Sequence, residues 1–192
     1  MTLDTMGYKT PEGAEFDRER ILDEIVSSQN TDGGFSLAKG ESDIDITAMA
    51  LQAIAPYYND FSRGDVRKSA DKAVEYLSGK QDSSGTFGSA EADSQVTIAL
   101  CSLGIDPEAD SRFVKNSDLL TALLSYQNSD GGFSHEKGDD SDELATGQAL
   151  CALAAQKRYE LTMRRIYDMR EELSVLQREK LDGINGDRKS VV

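Results

Sequence analysis

Apolar residues fall along the chain in short helical bursts. Ile21, Leu22, Ile25 and Val26 recur at spacings of 1, 3 and 4, as do Ala73, Val74 and Leu77, and then Leu119, Leu120, Leu123 and Leu124. Each burst runs into a polar stretch containing glycine. A second run of small and apolar residues follows: Thr47-Ala-Met-Ala-Leu-Gln-Ala-Ile54, Ser94-Gln-Val-Thr-Ile-Ala-Leu100 and Thr146-Gly-Gln-Ala-Leu-Cys-Ala-Leu153. Alternating β-branched segments are nearly absent, and Pro11, Pro56 and Pro107 lie outside or at the edges of the helical runs. The pattern predicts an all-α chain of three helix-loop-helix units, at about residues 16–58, 65–105 and 112–156.

The loops are copies of one another. Gln29-Asn-Thr-Asp-Gly33-Gly34-Phe35 returns as Gln127-Asn-Ser-Asp-Gly131-Gly132-Phe133, with a degraded copy between them, Gln81-Asp-Ser-Ser-Gly85-Thr-Phe87. The copies start at 29, 81 and 127, so the periods are 81 − 29 = 52 and 127 − 81 = 46 residues, the range of helical repeat architectures. Adjacent glycines permit positive φ and close backbone approach, which lets the Phe fold back onto the helix pair. The Gln amide, with donors and acceptors, is placed to satisfy backbone groups at the helix end. These residues are therefore read as structural. Asp-Gly-Gly has neither the spacing nor the lysine of a phosphate loop.

At 192 residues the chain suits one domain. Lys and Arg number 21 against 35 Asp and Glu, a net charge of −14, which opposes phosphate backbones and excludes nucleic acid as an expected partner. From Lys157 onward there are 9 basic and 7 acidic residues, so the remainder carries 12 − 28 = −16 and the C-terminal segment is chemically distinct. There Ile166, Met169, Leu173 and Leu176 step by 3, 4 and 3, predicting an amphipathic helix before a frayed end, with residues 170–192 as a separate segment. Cys101 and Cys151 have no Cys or His at ligand spacing and are expected to be buried free thiols. No transmembrane segment or signal pattern is present in the sequence.

The repeats resemble the terpenoid cyclase and protein prenyltransferase superfamily, the α/α-toroid fold. Its QW motif is matched in register by Lys72, Ala73, Tyr76, Leu77, Gln81 and Gly85, with Phe87 where the family has Trp. Asp43-Ile-Asp-Ile-Thr-Ala-Met-Ala-Leu-Gln-Ala-Ile-Ala-Pro-Tyr57, Ala99 to Pro107 and Ile166-Tyr-Asp-Met169 are similar to bacterial surface or secreted proteins that carry prenyltransferase and squalene oxidase repeats. The resemblance implies a partial α/α toroid over residues 1–169. It also implies an extracellular or cell-surface setting, or a cytoplasmic one if the chain is complete. Family rings close with about six helix pairs; three leave the toroid edge or the C-terminal helix available for a homo-oligomer.

Two functional readings follow. In class II terpene cyclases an Asp-x-Asp-Asp-Thr-Ala motif protonates an alkene, its central Asp acting as the acid. Asp43-Ile-Asp45-Ile-Thr47-Ala48 resembles it, with Asp45 at the acid position and Ile46 in place of the next Asp. Against this, Asp142 and Thr146 occupy the places of Asp43 and Thr47 in the third repeat, so these acids look like helix-start residues. Carbocation chemistry also wants aromatic walls, and the chain is 7% aromatic without Trp. The zinc chemistry of the protein prenyltransferases lacks ligands here, since His135 is the single histidine and reads as a solvated loop residue. Asp32, Glu41, Asp43, Asp130, Asp139, Asp140 and Asp142 form a solvated acidic rim without regular calcium-ligand spacing. The sequence is therefore expected to encode a non-catalytic module binding a small-molecule or protein ligand, without cofactor or metal. Its concave face would use Asp43, Asp45, Thr47, Gln95, Asp142, Thr146 and Gln148, the alternative being a cyclase using Asp45.

Overall fold

A computed structural model describes residues 2–38 and 40–170. Among these there are seven α-helices and no strand: α1 (Thr2–Thr5), α2 (Arg18–Ser27), α3 (Ile44–Ile54), α4 (Gly64–Lys80), α5 (Ala90–Leu103), α6 (Leu119–Leu124) and α7 (Glu143–Glu160). The chain divides into two compact units. Phe16–Ile166 holds α2 to α7; Met1–Glu15 and Tyr167–Val192 form the other. In that second unit α1 is followed by a turn at Gly7, and Met169 N donates to Thr5 O at 2.8 Å.

The larger unit is three helix pairs, α2/α3, α4/α5 and α6/α7. Helices begin where a short polar side chain can take a free N–H of the first turn. Asp17 accepts from Arg20 N, Asp43 from Ile46 N, Ser89 from Ala92 N, Asp118 from Thr121 N and Asp142 from Ala145 N. Gly104 ends α5 in the left-handed region at φ 78°, which costs glycine nothing. The second helix of each pair lies inside: α5 packs against α3 on one side and α7 on the other. Its run of small residues is why it can be buried on both flanks, and eleven of its 14 residues are buried.

Outer helices are tied together through Arg63, which is 9% exposed and bonds Glu19 at 2.6 Å and Asp23 at 2.8 Å in α2 and Asp65 at 2.9 Å in α4. One apolar cluster joins the first and second pairs through Leu22, Leu51, Ile54, Val66, Leu77, Leu100 and Phe113. A second joins the second and third through Ile98, Leu123, Tyr126, Phe133 and Ala149. Beyond α7, residues 161–166 turn through Thr162 at φ 54° and run back to the end of α3, where Arg165 Nη1 donates to Ala55 O at 3.4 Å.

The predicted amphipathic helix is not continuous from Ile166: Ile166 and Met169 lie in a turn and in irregular chain. Leu173 and Leu176 and the rest of residues 171–192 lie outside the described residues. Cys101 and Cys151 are free thiols but half-buried rather than buried. Cys101 donates to Gln156 Oε1 at 3.3 Å, and burial pushes its thiol up to about 12. No helix among the described residues is long and apolar enough to cross a membrane.

Candidate active site

The repeated loop is a latch. In the first copy Asp43 N donates to Phe35 O at 2.8 Å while Phe35 N donates to Thr47 Oγ1 at 2.9 Å, and Thr47 Oγ1 donates in turn to Asp43 O at 2.5 Å. The same pair of bonds recurs at Phe133, with Asp142 N at 2.8 Å and Thr146 Oγ1 at 2.8 Å. Both phenylalanines are at most 2% exposed, each contributing roughly 1.5–3 kcal/mol of apolar burial. Asp32 and Asp130 hold the turn from outside, accepting from Gly34 N and Ser42 Oγ, and from Gly132 N and Ser141 Oγ. Four acids of the rim are thus structural, Asp32 and Asp130 in the loops and Asp43 and Asp142 as caps, and no group of three or more ligand-type side chains among the described residues could hold a metal.

The middle copy is degraded for a physical reason. From Phe to helix cap the first loop takes 43 − 35 = 8 residues, the third 142 − 133 = 9, and the second only 89 − 87 = 2. A Cβ on Gly34 or Gly132 would strike Ser42 or Ser141 at 2.4 or 2.7 Å. The short loop has no such serine, so Thr86 fits where glycine stands in the other copies. Its hydroxyl donates to Asp93, which takes the place of Thr47 and Thr146 and accepts from Phe87 N at 2.6 Å. Tyr126 OH closes the chain on Thr86 Oγ1 at 2.7 Å. Asp93 is fully buried, and that burial pushes its carboxyl up to about 7 against the pull of its donors. Sequence reasoning passed over it; aligning the three helix caps and counting four residues on would have found it.

Asp45 stands two residues past the Asp43 cap, in the first turn of α3. It is half-buried, and its Oδ1 is enclosed with no hydrogen-bond partner. Burial raises its affinity for a proton, and the charges of Asp43 and Glu91 add to that; His135 opposes them. A helix N-terminus would ordinarily favour the carboxylate, so desolvation and like charge win here. Glu91 holds the corresponding place in α5, two residues past the Ser89 cap. It bonds His135 Nδ1 through Oε2 at 2.8 Å, and Ala90 N donates to His135 O at 3.1 Å. His135 is on an exposed loop as expected but is clamped to α5. Glu91 was missed by sequence reasoning, although its offset from the cap repeats that of Asp45.

The remaining predicted site residues separate into two sets. Asp43 and Asp142 cap helices, and Thr47 and Thr146 latch loops. Gln95 and Gln148 join with Gln52 in a ladder of amides across the three inner helices: Gln52 Nε2 donates to Gln95 Oε1 at 2.8 Å and Gln95 Nε2 to Gln148 Oε1 at 2.9 Å. Gln52 stood in the sequence as a lone polar residue within an apolar run. Gln29 and Gln81 reach past their own loops, Gln29 to Gly33 O and Ser69 O, Gln81 to Gly85 O and Phe113 O. A cavity of about 710 Å³ lies at the opposite ends of the inner helices, lined among others by Tyr58, Cys101, Asp106, Arg158 and Met163. It does not include Asp45.

Three helix pairs with a glycine-turned latch and an acid at the mouth of an inner helix define a toroid of the cyclase and prenyltransferase kind. The model of the prenyltransferase alpha-alpha toroid domain family matches residues 1–189, and the chain belongs to that family. Among curated relatives, drimenyl diphosphate synthase of Streptomyces showdoensis is 32% identical over 143 residues, covering 70% of this chain and 26% of the relative. Drimenyl diphosphate synthase of Streptantibioticus cattleyicolor is 30% identical over 155 residues, covering 75% of this chain and 28% of the relative. The chain spans about a quarter of the length of these relatives. The expectation of a non-catalytic surface module is overturned by this finding, because both relatives are synthases. Its error lay in reading all the acids as helix-start residues: Asp43 and Asp142 are caps, whereas Asp45 is not.

Proposed function

We propose that this chain is the acid-bearing part of a terpene cyclase-like enzyme in which Asp45 protonates an alkene of a prenyl diphosphate. The observation that carries the reading is the enclosed Oδ1 of Asp45, with no hydrogen-bond partner, beside Asp43 and Glu91. A general acid must hold its proton until substrate arrives and then release it to a weakly basic carbon. A carboxyl that is desolvated, faced by two carboxylates and free of donors meets the first condition. Family cyclases keep the acid protonated with neighbouring groups of their motif. Here Ile46 replaces one of those neighbours, and Glu91 from α5 supplies the negative charge instead. Among the predicted concave-face residues, Asp43 serves as the electrostatic neighbour of the acid.

The test is product analysis after incubation with linear prenyl diphosphates of increasing chain length, for the wild type and Asp45→Asn. The expected result is a cyclised diphosphate from the wild type and a rate lower by roughly 10²–10⁴-fold in the variant. Equal product from Asp45→Asn and wild type overturns the proposal.

A further inference from the structure

Each repeat contributes one titratable side chain to the same charged neighbourhood: Asp45 from the first turn of α3, Glu91 from the first turn of α5 and His135 from the loop that leads to α7. His135 is joined to α5 twice. Its carbonyl accepts from Ala90 N at 3.1 Å, which by itself seats the loop on the helix start, and its ring Nδ1 lies 2.8 Å from Glu91 Oε2. The Glu91 side chain is 12% exposed and that of His135 58%. The carboxylate is therefore largely screened from water while the imidazole stays open to it.

The ring can keep this bond whatever its protonation. Neutral imidazole with its proton on Nδ1 donates to Glu91, and imidazolium donates from the same nitrogen. What changes is the charge, since the pair is negative with the neutral ring and balanced with the protonated one. The groups that bear on the ring are acidic: Glu91 first, then Glu136 of its own loop and Asp142 at the cap of α7, and they hold the imidazolium above the usual histidine range. The charges acting on Asp45 are those of Asp43, Glu91 and His135, so His135 is the cation of that set.

We propose, resting on the reading of Asp45 as the acid, that His135 is a positioning residue for it: the ring fixes Glu91 and sets how much of the Glu91 charge Asp45 feels. The Glu91–His135 pair thus regulates the acid from a neighbouring repeat, without touching the substrate. While the ring is protonated the Glu91 charge is offset and Asp45 gives up its proton more readily. Once the ring is neutral Glu91 acts alone, and the proton is held.

Carbon-detected NMR of the full chain tests this, following the Asp45 carboxyl and the His135 ring against pH. His135→Gln keeps an amide donor for Glu91 but removes the charge, and the Asp45 midpoint should rise. His135→Lys keeps the charge and should leave that midpoint near the wild-type position, whereas a role confined to seating the loop would make the two variants alike. Asp45→Asn should lower the His135 midpoint in return, because coupling between two sites is reciprocal. An Asp45 midpoint unmoved in His135→Gln, or moved equally in His135→Lys, overturns the proposal. The readout needs no turnover: equal product from Asp45→Asn and wild type would remove the acid's role and leave the coupling standing, while an unmoved midpoint would remove the coupling and leave the acid.

Discussion

The loops at Gln81 and Gln127 are built to one plan and lead different lives. Gln81 is buried, and its amide spans from its own loop to Phe113 O at the start of the next helix pair. The Gln127 amide, near the surface, reaches Gly131 O of its own loop at 3.2 Å. A Cβ on Gly85 would meet Ser117 O at 2.6 Å, and one on Gly33 would meet Lys72 O at 2.7 Å; one on Gly131 would meet nothing within 4 Å. All three glycines have φ between 90° and 94°. In the first and second copies the loop is at once a turn and the seat of the following repeat, whereas in the third, among the described residues, it is a turn alone. The same letters carry two energetic contents, set by whether another unit is stacked on them.

Gly85→Ala should break this difference open most. It adds a backbone clash to the left-handed strain, a cost of about 3–5 kcal/mol, while Gly131→Ala should cost only the strain, about 1–2 kcal/mol. Thermal melts of the two variants side by side would show it; equal losses would mean that the following repeat does not press on the loop. Gln81→Ala leaves Phe113 O and Gly85 O without their donor in a buried place and should cost about 2–3 kcal/mol, against under about 1 kcal/mol for Gln127→Ala.

Asp93 offers the next test. Its folded-state pKa of about 7 lies above the ordinary 3.8, so the folded chain holds the proton more tightly than the unfolded one. Stability from this group is therefore greatest at low pH and is lost as pH rises from about 4 through 7. Asp93→Thr, which copies the latch of the other two repeats, should stabilise the chain by about 1–3 kcal/mol at pH 8 and by much less at pH 5. Denaturant midpoints at the two values decide it, and a benefit independent of pH would assign the effect to packing. Smallest is Asp45→Asn. Its shift has the same sign, so the variant should be slightly more stable at pH 8 than the wild type, the loss of function coming with higher stability.

Helix, loop and repeat were legible because their causes are local: periodicity, capping residues and glycine turns act over a few positions. Thr47 and Asp43 declared themselves through the matching Thr146 and Asp142. What escaped were residues whose meaning lies in another repeat. Glu91 matters because α5 brings its charge toward Asp45, Gln52 because α3 lies beside α5, and Asp93 because a six-residue shortening of one loop removed the serine that would have excluded Thr86. Counting acids could not separate Asp45 from the caps around it; the separation is that Asp43 accepts a first-turn N–H whereas the enclosed Oδ1 of Asp45 accepts none.

The titration of the Asp45 carboxyl followed by carbon-detected NMR tests the central claim most directly, with Asp43 as the internal comparison. A midpoint above the ordinary value near 4, falling when Glu91 is replaced by Gln, is what a proton donor held by desolvation and like charge requires. A midpoint at or below that value, unmoved by Glu91→Gln, would contradict the account and leave Asp45 as one more acid at the start of a helix.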